Sequence, residues 1–171
     1  MENYSDNNKQ KMILNKELFP TIDLSILENE VEECRYYSTS TVYIESAMAS
    51  YVHCLHDKDI NLQVDYLKYE KKYLDFFEII IEENWPCYRI MKESRIEVIE
   101  NKEDFMDCLQ KGLREDFAYK DDDIPFDFIL HGIDCIIHVG FDLGLIIYYV
   151  KMTLSVNLLL RKFYGAGFCV E

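Results

Sequence analysis

The hydrophobic pattern changes its period partway along the chain. In the first half, apolar residues recur every three or four positions with charged residues between them, the spacing of an amphipathic helix. "TIDLSILENEVEECRYY" (21–37) offers Thr21 or Asp23 as an N-cap and sets Leu24, Leu27, Val31 and Cys34 on one face. "TVYIESAMASYVHCLHD" (41–57) repeats the pattern through Ile44, Met48, Tyr51, Val52 and Leu55, and "HDKDIN" is the polar turn that ends it. A third helix, "LQVDYLKYEKKYLDFFEIIIEEN" (62–84), lines up Leu67, Leu74, Phe77 and Ile81 and stops before Pro86, whose ring and missing N–H cannot continue a helix. The expectation is a helical layer over 21–92, preceded by a polar segment, 1–20.

After "MKES" the period becomes two. "RIEVIE" (95–100) alternates as a half-buried strand does, and "NKEDFMDCLQKGLREDF" (101–117) returns to helix. Asn101 is its predicted cap, Asp104 completes the capping arrangement, and Phe105, Cys108, Leu109 and Leu113 form the apolar face.

"DIPFDFILHGIDCIIHVGFDLGLIIYYVK" (123–151) is the most apolar stretch. Asp127, Asp134, Asp142, two histidines and three glycines interrupt it, which is incompatible with a bilayer span of roughly 18 apolar residues. A single helix would place Gly132, Gly140 and Gly144 in its interior at about 1 kcal/mol each relative to alanine. Strands separated by turns use the β-branched residues better: "FDFILH", a turn at 132–134, "CIIHVGF", a turn or bulge near 142–144, and "LIIYYVK". The strand at 95–100 joins this meander. "TLSVNLLLRKFYGAG" closes as a helix capped by Thr153 or Ser155 and ended by Gly165, and "FCVE" is a last short strand. The predicted fold is α+β, one domain over 1–171. Its helical N-terminal half packs on a small, mainly antiparallel sheet formed by the C-terminal half, 95–171.

Composition narrows the functional classes. With 32 acidic and 18 basic residues the net charge is −14, which repels nucleic acid and anionic membranes and favours basic partners. The opening "MENYSDNNKQKMILNKELFP" lacks the basic-then-apolar pattern of an export signal, so the chain is expected in the cytoplasm. The six cysteines (34, 54, 87, 108, 135, 169) form no C-x-x-C pair and read as reduced, small apolar residues.

Candidate chemistry is sparse. No P-loop, G-x-S-x-G elbow or H-E-x-x-H occurs, and "EDFAYKDDDIPFD" lacks the central glycine and closing glutamate of an EF-hand. His131, Cys135 and His138 would share a face on a helix, but on strands Cys135 and His138 point to opposite faces. His53 and His56 sit one turn apart on the second predicted helix. No catalytic residue, metal or cofactor is therefore assigned.

The charge is concentrated. From Glu97 to Asp127 eleven acidic residues face four basic ones, a net of −7 in 31 residues. An acidic helix and loop beside Phe117 and Tyr119 has the aromatic-anchor and carboxylate makeup of a surface that captures a basic protein. The partner-binding candidates are Glu103, Asp104, Asp107, Glu115, Asp116, Tyr119, Asp121, Asp122 and Asp123.

The C-terminal third ("RIEVIE", an acidic helix, "PFDFILHGIDCIIHVGFDLGLIIYYVK", a helix and "GFCVE") resembles, in element order, size and acidity, the immunity proteins that neutralise bacterial polymorphic or contact-dependent toxins. The resemblance covers about 75 residues and implies a non-enzymatic cytoplasmic inhibitor that occludes the active site of a basic toxin domain. Two other readings stand beside it. One is a metal-dependent enzyme using His53, His56, His131 and His138; the other is a structural or regulatory module, with a homodimer through exposed aromatics of the helical layer.

Overall fold

In a computed structural model, residues 38–44, 59–91, 95–114, 126–139 and 143–171 are described. They form seven strands, β1 (Ser38–Tyr43), β2 (Cys87–Met91), β3 (Arg95–Val98), β4 (Asp127–Leu130), β5 (Ile136–Val139), β6 (Leu145–Tyr149) and β7 (Cys169–Val170). Three helices accompany them, α1 (Ile60–Glu83), α2 (Lys102–Arg114) and α3 (Leu154–Gly165). The strands make one antiparallel sheet in the order β3-β2-β4-β5-β6-β1-β7. The fold is α+β, as the change of period predicts.

Local chemistry sets the helix ends. Asp59 caps α1, its side chain accepting from the Asn61 amide at 2.9 Å. Beyond Glu83 the Asn84 amide and side chain both donate to the Ile80 carbonyl, and Pro86 follows. Asn101 Oδ1 accepts from the Asp104 amide at 2.8 Å while its Nδ2 donates to Asp104 Oδ2 at 2.7 Å, the reciprocal cap predicted for α2. Thr153 caps α3 through the Val156 amide. At the other end Phe168 N–H returns to the Phe163 carbonyl as Gly167 takes a φ of +79°, a left-handed residue that turns the chain into β7.

The three described helices cover one face of the sheet. Phe77 on α1 contacts Phe105 of α2, Phe128 of β4 and Phe163 of α3, with ring centroids 5.5–6.1 Å apart, and so joins every layer of the core. α2 approaches β5 closely because Gly112 has no side chain: a Cβ there would lie 3.0 Å from Val139 Cγ1 and 3.2 Å from Phe126 Cβ. On the opposite face Tyr88, Ile90, Ile129 and Ile136 form a second buried cluster made of strand residues alone.

Three expectations need correction. Residues 41–43, expected in a helix, belong to β1, because Ser40 and Val42 face inward and Val42 pairs with both Leu145 and Val170. The rest of that helix beyond Ile44, and the helix at 21–37, lie outside the described residues. "CYRIM" is an unpredicted strand, β2, which stands between the 95–100 strand and the meander, so those two are not neighbours. On α1 the buried row is Tyr66, Tyr73, Phe76, Phe77, Ile80 and Ile81, and Leu67 is exposed: the aromatic stripe, with more area to remove from water, turned the helix. In the turn expected near 142–144, Leu143 is left-handed, at φ 56°. Its full burial, and the Tyr73 hydroxyl that donates to its carbonyl, hold it there.

Candidate functional site

α2 carries the described partner-binding candidates of the acidic segment. Its amphipathic period buries Phe105, Leu109 and Leu113 and turns Glu103, Asp104, Asp107, Lys111 and Arg114 to solvent. Acidic residues occupy the first turn and basic ones the last, the arrangement that complements the helix dipole. Asp104 is engaged in the Asn101 cap, so Glu103 and Asp107 are the carboxylates this helix presents most openly. Lys102 pairs with Glu82 of α1 at 3.3 Å. Glu115, Asp116, Tyr119, Asp121, Asp122 and Asp123 lie outside the described residues.

The C-terminal end of α2 is anchored by a group the sequence reading missed. Glu70, on the core side of α1 and only 3% exposed, accepts from Arg114 Nε at 2.5 Å, Arg114 Nη2 at 2.7 Å and Gln110 Nε2 at 3.0 Å. This forked, charge-assisted contact satisfies a buried carboxylate, and the same hydrogen bond raises the Arg114 guanidinium above its ordinary range. The Tyr66 hydroxyl donates to the Leu113 carbonyl at 3.1 Å beside it. A signal was present in the sequence: Glu70 lies four residues after Tyr66 and three before Tyr73, on the row that became the core.

The histidines separate. His138 and Asp127 are cross-strand partners on the face away from the helices, with Nδ1 2.6 Å from Oδ1 and both side chains mostly buried. The His138 ring lies edge-on to Tyr148, centroids 6.4 Å apart. His131 is exposed in the turn after β4, and Cys135 is buried. Among the described residues no three His, Cys, Asp or Glu side chains converge as a metal would require. His53 and His56 lie outside the described residues.

Two of the described thiols are poor nucleophiles. Burial pushes both Cys87 and Cys135 up to about 12, so each stays protonated at neutral pH. Cys87, Cys108, Cys135 and Cys169 are free; Cys34 and Cys54 lie outside the described residues. No described helix is long and apolar enough to cross a membrane.

No protein-family model, curated protein or solved structure matches the chain.

Proposed function

We propose that this protein is an acidic, non-enzymatic inhibitor of the immunity type, acting in the cytoplasm on a basic toxin domain whose active site it occludes. The observation that carries the reading is the charge: half of the net −14 falls in the 31 residues from Glu97 to Asp127. Carboxylates spaced along a helix and the loop after it can replace the phosphates a basic nuclease grips, and they speed association by long-range attraction. Glu103 and Asp107, exposed on α2, supply the described part of that surface, and the Glu70–Arg114 clamp anchors the helix that carries them. Buried, protonated thiols at Cys87 and Cys135 favour this reading over an enzyme that uses those two cysteines as nucleophiles.

The test is a complex between the purified chain and the basic polypeptide encoded directly upstream of it. The expected result is one-to-one binding by calorimetry together with loss of that polypeptide's toxicity when both are expressed. Absence of both binding and protection would overturn the proposal.

A further inference from the structure

We draw no further inference here: the strongest candidate, the Asp127–His138 pair on the sheet face that no described helix covers, gathers no third metal-ligating side chain among the described residues, and nothing in the structure shows what covers that face.

Discussion

Asp127 and His138 face one another across β4 and β5, carboxylate to imidazole at 2.6 Å, on the sheet face that no described helix covers. Strand pairing put them together, and the same alternation sends Cys135 and Ile137 elsewhere. The bond holds Nδ1 and so fixes the orientation of the imidazole ring.

Removing one member of this pair should leave the other mostly buried and unsatisfied. Asp127→Ala and His138→Ala are each expected to lower stability by about 1–3 kcal/mol, with a favourable coupling energy in the double-mutant cycle. His131→Ala, in an exposed turn, should change it by less than about 0.5 kcal/mol. Urea unfolding measures all four variants. Loss of a stoichiometric metal from either histidine variant, measured by elemental analysis, would revive the enzyme reading.

The Glu70 clamp makes an asymmetric prediction. Arg114 is 40% exposed along its side chain and can return to water, whereas Glu70 is 4% exposed and cannot. Arg114→Ala should therefore cost about 3 kcal/mol or more by stranding a buried carboxylate, and Glu70→Ala clearly less. Equal losses in thermal unfolding would mean that packing, and not charge burial, dominates the contact.

Thiol chemistry should follow burial. At about pH 8, iodoacetamide is expected to spare Cys87 and Cys135 in the folded chain and to modify them on unfolding, as intact-mass analysis would record. Because burial raises both to about 12, from an ordinary 9.0, the unfolded chain releases these protons first. Their contribution to stability is thus complete below about pH 9 and declines as pH rises from 9 towards 12. All six cysteines are expected to be free, and three native bridges in non-reducing mass spectrometry would contradict that.

For the acidic segment, raising salt from about 0.05 to 0.5 M should slow association with the proposed basic partner, as the screening length falls to a few ångströms. Reversing Asp121, Asp122 and Asp123 to lysine should weaken binding through the association rate. The same reversal at Glu28, Glu30 and Glu32 is the control for overall charge. Equal loss in stopped-flow rates for both triple variants would show that total acidity alone matters.

Much of the described architecture was written locally. The Asn101–Asp104 cap, the Thr153 cap, the stop before Pro86, the turn at Gly132 and the alternation of β4 to β6 all depend on residues within about four positions of one another. Propensity and periodicity report such short-range preferences directly. The acidic residues of α2 were legible for the same reason, since a helical period separates its Phe105–Leu109–Leu113 face from its charged one. Tertiary structure decided the rest. β1 is a strand because Leu145 and Val170, over a hundred residues away, complete its ladder, and no pattern within 38–43 outweighs that pairing. Glu70 is buried because α1 turned its aromatic row inward and Arg114, 44 residues on, met it there. His138 found Asp127 only when the register of β4 and β5 was set. Each of these depends on contacts between segments distant in the chain, whose free energy is gained only once both segments are in place.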